Sequence, residues 1–483
     1  MNVTTQRADA RTGRDRTRIW ALMSVAAPAK PLAMSPPSPP GHFLLGHLPE
    51  LRDLLPFYER CHRDYGDFVR VQLANYTSFL VSHPHAIESV LVTNHRNFIK
   101  HTFFWRHVTS MFGKGLLTSE GSHWVQQRKL IQPAFHRDRI HGYGAVMAEC
   151  TQRMLDTWRA DEVRDLHADM MHLTMEIVVR TLFGGNVAAS DASAVSDAFN
   201  IAVEQIAVRF KRPMRIPDWI PVPSNVKFNR SVRELDRLIY GFIRERRASS
   251  AAHGNDLLSM LVAAKDESGV SMPDPQVRDE AITLFLAGHE TTAIALSWTW
   301  YLVSQHPEVE AKLHAEIDAV LQGRAPTAED VKRLEYTERV VLESMRLYPP
   351  AYGFGREALE DCEIAGYRVP AGSTVFMMPW LVHRDARWFP DPLRFDPDRW
   401  QGDFAKTLPA FAYLPFGGGP RRCIGNTFAM MEAVLLVAAI AQRFRLTLVP
   451  GHPVEPFPSI TLRPKYGMKM TLGVQECYGN SRT

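Results

Sequence analysis

The run Phe416-Gly-Gly-Gly-Pro-Arg-Arg-Cys-Ile-Gly425 concentrates residue types that can do chemistry. Three successive glycines let backbone pass close to something flat, where a side chain would clash. Cys423 then falls where an apolar helical stretch begins, from Ile424 to about Phe444. Free amides and the positive dipole end at such a point favour a thiolate. A thiolate there suits the axial position of an iron porphyrin, where it pushes electron density toward bound oxygen. Arg421 would meet the negative propionates of such a ring. Glycine loops before helices more often bind phosphate, but no Lys-Ser/Thr follows these glycines, so this is not a P-loop. A lone cysteine is usually a small buried hydrophobe, so the loop by itself leaves Cys423 open.

A second polar island, Ala287-Gly-His-Glu-Thr-Thr292, lies inside a mostly apolar helical stretch from Gln276 to Gln305. Thirty such residues would span roughly 45 Å, the width of a sizeable domain. Burying the adjacent Glu290 and Thr291 costs about 1–3 kcal/mol for an unpaired hydroxyl, and more for a charge. Gly288 offers a close backbone approach and a weak point in the helix. A zinc-protease motif would need histidine at position 293, which is Ala293. A membrane span with an intramembrane acid is disfavoured because no second span accompanies it.

Two further pairs have helical spacing. Glu343 and Arg346 lie three apart in a stretch read as helix from Glu335 to Leu347, stopped by Tyr348-Pro349-Pro350. Alone, such a pair is more often an exposed ion pair worth little. Trp124 and Arg128 lie one turn apart after Ser122, which reads as a helix cap. The bland alternatives are a core tryptophan and a surface arginine.

Phe416, Gly419, Arg421, Cys423 and Gly425 together resemble the heme-binding loop of the cytochrome P450 family, with the spacing intact. The resemblance runs from the proline-rich lead-in to the C-terminal strands. It implies a mainly α fold with a minor β portion, a single large helical domain around a buried heme b. Residues 36–483 would form that domain and residues 1–35 a disordered or dispensable tail. Cys423 would be the iron ligand. Trp124, Arg128, Ala287, Gly288, Arg356, Phe416, Gly417, Arg421 and Gly425 would hold the cofactor. Glu290 and Thr291 would be the acid–alcohol pair that delivers protons to oxygen, since splitting O2 needs protons in a site kept from bulk water. Glu343, Arg346 and Arg399 would brace the thiolate side.

The implied activity is a monooxygenase that hydroxylates or epoxidises a hydrophobic small molecule such as a fatty acid, terpenoid or steroid. Substrate-lining positions by the same resemblance are Phe103, Phe104, Trp105, Phe285, Ala351, Tyr352, Phe354, Ser459 and Ile460. The proline-broken stretch from Ile216 to Val222 reads as a lid. O2 is a co-substrate, and a separate ferredoxin or flavodoxin with its reductase would supply electrons, docking near Arg421 and Arg422. The alternative is a non-oxygenating heme-thiolate protein, whether peroxide-driven, rearranging or gas-sensing. Such a protein would have no need of Glu290 and Thr291.

The bulk numbers fit. Of 483 residues, 45% are apolar and 22% charged, which is ordinary for a globular chain. Arg7, Arg11, Arg14, Arg16 and Arg18, set against Asp9 and Asp15, supply +3 of the net charge of +4, so a nucleic-acid reading is weak. Cysteines at 61, 150, 362, 423 and 477 show no zinc or redox spacing, which implies a reducing cytoplasm. The apolar part of Trp20-Ala-Leu-Met-Ser-Val-Ala-Ala-Pro28 is too short to span a bilayer, and a monomer is expected.

Overall fold

The computed structural model describes residues 34–475 apart from 101, 103–104, 106–108, 110, 185–193, 196, 200, 203, 206–215, 218 and 249–255. Residues 1–33 of the expected tail, Phe103, Phe104 and Cys477 therefore lie outside the described residues, while Met34 already bridges to Tyr367. Helices form the bulk of the molecule. The longest, Asp274–Ser304, starts with a proline in its first turn and ends just before His306-Pro307. Proline fits the first turn because its missing N–H would have no partner there anyway. Apolar side chains surround this helix, and Trp298 and Trp300 are fully buried on it.

Its main partner is the helix Leu166–Phe183. A Cβ at Gly288 would sit 2.8 Å from Val178 Cγ2, so the glycine there serves contact between these two helices. Thr174 Oγ1 of the same partner donates to His289 O at 3.0 Å. The helix Asn426–Arg443, nearly all apolar, packs against the helices Arg137–Thr157 and Asp274–Ser304. Burial of these apolar faces is the main favourable term holding the layers together.

The β portion is small. Strands β1 (Phe68–Leu73), β2 (Tyr76–Val81), β3 (Phe98–Ile99), β5 (Phe354–Ala358) and β8 (Thr374–Met377) make one sheet, ordered β1-β2-β8-β5-β3. Only β2 and β8 run parallel. The proline-rich lead-in lies extended along it, with Pro37 O accepting the Arg70 N–H at 2.8 Å. Strand β4 (Val163–Asp165) pairs with β12 (Lys469–Val474), which also pairs with β9 (Phe444–Leu448). Hairpins β6–β7 (Cys362–Ile364, Tyr367–Val369) and β10–β11 (Pro456–Pro458, Leu462–Pro464) complete the set.

Two local expectations shift. The stretch from His85 to Val92 is a helix only over Pro84–Glu88, followed by a wider turn over Ser89–Thr93. Ser122 does not cap its helix, which spans Gly121–Ile131 with Glu120 at the capping position. Gly121 turns the chain at φ +60°, and the Glu120 carboxylate is committed elsewhere.

The helix Glu335–Leu347 has the bounds the sequence implied, and it carries a buried ionic hub. Glu343 and Arg346 are both fully buried and meet at 2.8 Å. Glu343 also takes Arg399 Nε at 3.3 Å, Trp400 Nε1 at 2.8 Å and the Asp396 N–H at 3.1 Å. Arg346 donates onward to the carbonyls of His383, Pro392 and Arg394. A buried pair whose remaining donors are satisfied ties segments together, and removing one partner strands a charge. Glu343→Ala should therefore cost about 3–5 kcal/mol in urea unfolding. A loss under about 1 kcal/mol, the range of an exposed pair, would contradict this description.

Candidate active site

The loop before Asn426–Arg443 is set by its own hydrogen bonds. Cys423 N–H donates to Phe416 O at 3.0 Å, and Gly417 N–H to Leu414 O at 3.0 Å. Its three glycines are not equivalent. A Cβ on Gly418 would lie 2.2 Å from the Phe411 ring, and one on Gly419 would lie 2.0 Å from Leu91 O. Those two glycines are required by the protein itself. A Cβ on Gly417, at φ +65°, would meet nothing within 4 Å, so this glycine is the one that opens onto free space.

Cys423 is exposed, yet burial among protein atoms pushes its thiol up. Both hold if the sulfur faces an internal space reached by solvent. The Gly425 N–H and the charges of Arg128, Lys100 and Arg422 act in the opposite direction and favour thiolate.

Around this space stand four cations. Arg421 stacks on the Trp124 ring at 4.0 Å, and Arg128 approaches the same ring at 5.7 Å. Arg421 Nη2 donates to Glu120 and to Ser119 O, while Nη1 is buried with no partner among the described residues. Arg356, on β5, donates to Gly355 O at 2.9 Å. Burial, then Arg421, pulls its guanidinium down to about 10. Lys100 joins them without having been marked by any sequence motif. Burial, then Arg356 and Arg421, pulls its ammonium down to about 7. Among the described residues no ion pair involves Lys100, Arg128 or Arg356, and Glu120 is the carboxylate that reaches the group. Such an excess of positive charge, with Arg356 buried and the other three half-buried, is favoured by an anion beside it. A flat ring bearing two carboxylates, with a thiolate donor within reach, fits these residues. The one sequence signal for Lys100 was a single ammonium between Phe98-Ile99 and Phe103-Phe104-Trp105.

The long helix shows a second face of the same kind. Leu284, Ala287, Gly288 and Thr291 recur at three- and four-residue spacing and are not buried, although the helix around them is. Thr291 Oγ1 donates to Ala287 O at 2.8 Å. Glu290 points elsewhere. Its carboxylate accepts from Thr461 Oγ1 at 2.6 Å and from Arg463 Nη2 at 2.6 Å. The structure thus does not bring the Glu290 carboxylate to the Thr291 hydroxyl. Leu284 takes the place expected of Phe285, which is buried against Phe199 and His289 at 5.1 and 5.3 Å. Helical spacing from Ala287 and Thr291 would have picked Leu284.

Tyr352 is likewise buried, its hydroxyl bonded to Ser459 O at 2.8 Å. Ala351, Phe354 and Ile460 are half-buried. Trp105 lies beneath Lys100 Nζ at 5.1 Å. In the expected lid, Trp219 is 81% exposed. Arg421 turns inward to Glu120, which leaves only Arg422 of the two exposed for docking.

A cysteine loop, a cation pocket and a polar turn on the open face of a long helix fit a heme-thiolate enzyme. The Cytochrome P450 family model matches residues 36–472, and the chain belongs to that family. It is similar to cyclooctatin synthase of Streptomyces melanosporofaciens, 40% identical over 82% of this chain and 87% of the relative. Cyclooctat-9-en-7-ol 5-monooxygenase of the same organism is 38% identical over 91% and 95% of the two chains. Pentalenene oxygenase of Streptomyces avermitilis is 34% identical over 81% and 87%. Among solved structures, the cytochrome P450DA heme domain superposes with a TM-score of 0.85 at 27% identity, covering 92% of this chain and 98% of that one. The protein is a cytochrome P450 monooxygenase, and its cofactor is heme. It uses O2 and redox partners. Among the described residues no helix is long and apolar enough to cross a membrane.

Lys100→Met separates two effects of the cation pocket. It removes a half-buried ammonium that has no ion-pair partner among the described residues, so the apoprotein should melt higher. It also removes a cation facing the ring carboxylates, worth about 1.5–3 kcal/mol, so heme should leave roughly tenfold to a hundredfold faster into a scavenging protein. Lower apoprotein melting with unchanged heme loss would contradict this assignment.

Proposed function

We propose that the enzyme hydroxylates or epoxidises a polycyclic terpenoid. The observation that carries this is the unburied face of the long helix, where Leu284 and Ala287 present only apolar surface beside Gly288 and Thr291. Ala351, Phe354 and Ile460, also half-buried, would add to the same lining. A cavity of this character holds a ligand by apolar contact with few polar fixings. The three Streptomyces relatives are named a cyclooctatin synthase, a cyclooctat-9-en-7-ol 5-monooxygenase and a pentalenene oxygenase, and names of this kind support a terpenoid substrate here. Fatty acids and steroids are the other apolar classes such a lining would accept.

Heme held through Cys423 supplies O2 activation, with one oxygen atom going to the substrate and the other to water. Lys100, Arg128, Arg356 and Arg421 would neutralise the propionates. Gly417 and Phe416 would hold the ring, and the Gly425 N–H would steady the thiolate. Glu343, Arg346 and Arg399 hold the chain behind the thiolate loop. Thr291 holds a proton at Oγ1 on the oxygen side. Glu290 acts as its acid partner only after leaving Thr461 and Arg463, and Arg463 is the exposed end of that link. Electrons come from a separate ferredoxin or flavodoxin docking at the face that carries Arg422. A reduction rate that does not change with salt would count against that docking face.

Glu290 is held away from Thr291, so the role given to Thr291 is tested on its own by Thr291→Ala. The variant should keep heme and ligand affinity but divert about tenfold more reducing equivalents into hydrogen peroxide. Unchanged coupling would remove the proton role given to Thr291. The substrate class is tested by optical titration with a cyclic diterpene hydrocarbon against a fatty acid of equal carbon number. Tighter binding of the fatty acid would overturn the terpenoid assignment.

A further inference from the structure

Glu432 lies on the helix Asn426–Arg443 and is fully buried. Neither carboxyl oxygen has a hydrogen-bond partner among the described residues. An ionised carboxylate so placed would carry a desolvation cost of several kcal/mol with nothing to offset it. Burial pushes its acid well above the usual range, and the group that acts the other way is the Thr292 hydroxyl. Thr292 faces Glu432 but stops short of hydrogen-bond geometry.

The direction of that contact follows from what Thr292 already does. Its Oγ1 donates to Gly288 O at 3.1 Å, so its proton is used and its lone pairs are free. A protonated carboxyl has one donor to give and would find its acceptor there. Gly288 O is one of three successive carbonyls on the long helix that receive a hydroxyl. Thr291 donates to Ala287 O at 2.8 Å and Thr174 to His289 O at 3.0 Å. Hydroxyls competing for helix carbonyls bend the helix at that turn. The turn so held is the one that presents Ala287, Gly288 and Thr291.

We propose that Glu432 is a positioning residue, held as a neutral carboxylic acid that donates to Thr292 Oγ1 and so fixes the Ala287–Thr291 turn from the thiolate-side helix. Through this link the helix that follows Cys423 and the helix that carries Thr291 are joined by side-chain hydrogen bonds as well as by packing. The proposal rests on the oxygen-side place given to that turn. Its test does not depend on whether Thr291 relays a proton.

The test uses the holoenzyme and carbon monoxide as the probe. Infrared spectra of protein with labelled glutamate carboxyls should show a protonated-carboxyl band at neutral pH that Glu432→Gln removes. The stretch of carbon monoxide bound to the reduced heme reports the polar surroundings on the oxygen side. Glu432→Leu and Thr292→Val should both move or broaden that stretch. The double variant should move it no further than either alone. Glu432→Gln, whose amide can still donate to Thr292, should leave it near wild type. If Glu432→Leu fails to load heme, Thr292→Val cuts the same link from the other side without touching the buried acid. Absence of the carboxyl band, or a wild-type stretch in Thr292→Val, overturns the proposal. Unchanged coupling in Thr291→Ala would remove only the proton role of Thr291 and leave these readouts standing.

Discussion

Buried positive charge is the constraint on which the rest of this structure depends. Lys100, Arg128, Arg356 and Arg421 come from four separate stretches of the chain and converge with one carboxylate, Glu120, among them. Like charges in a low-dielectric space repel, and burial has already weakened all four. The fold must hold them there regardless. It does so with the Trp124 ring under two guanidiniums, the strand β5 beneath Arg356 and the Glu120 link to Arg421. A dianionic ring then completes the charge balance, and cofactor binding and stability become one problem.

The thiolate side is held by a different device. The Glu343–Arg346 pair is fully buried, and its spare donors and acceptors reach Arg399, Trp400, Asp396, His383, Pro392 and Arg394. This hub fixes irregular backbone that has no strand or helix ladder of its own. The two glycines pressed against Phe411 and Leu91 do the same for the loop ahead of Cys423. Rigid positioning of the sulfur is thereby separated from the long helix, where the hydroxyls of Thr291, Thr292 and Thr174 bond to the successive carbonyls of Ala287, Gly288 and His289.

Much of this was legible in the chain itself. The helix Glu335–Leu347 reads correctly because its periodicity ends at a proline pair, and the long helix because prolines flank it. Glu343 and Arg346 could be paired by spacing alone, but nothing local said the pair was buried. Lys100 was hidden because its partners are distant in sequence. Glu120 displaced Ser122 from the cap for the same reason, since a long-range ion pair outweighed a local preference. Phe285 was assigned to the pocket by its neighbourhood, whereas one step of helical rotation puts Leu284 on the open face and Phe285 in the core. The glycine triplet signalled a close approach correctly, but two of its three members face protein.

The most direct measurement is the absorption spectrum of the reduced protein under carbon monoxide, wild type against Cys423→Ser. The account predicts a strongly red-shifted Soret band in wild type, the mark of thiolate ligation, and its loss in the variant. A wild-type band of the imidazole type, or a red-shifted band that survives in Cys423→Ser, would contradict it.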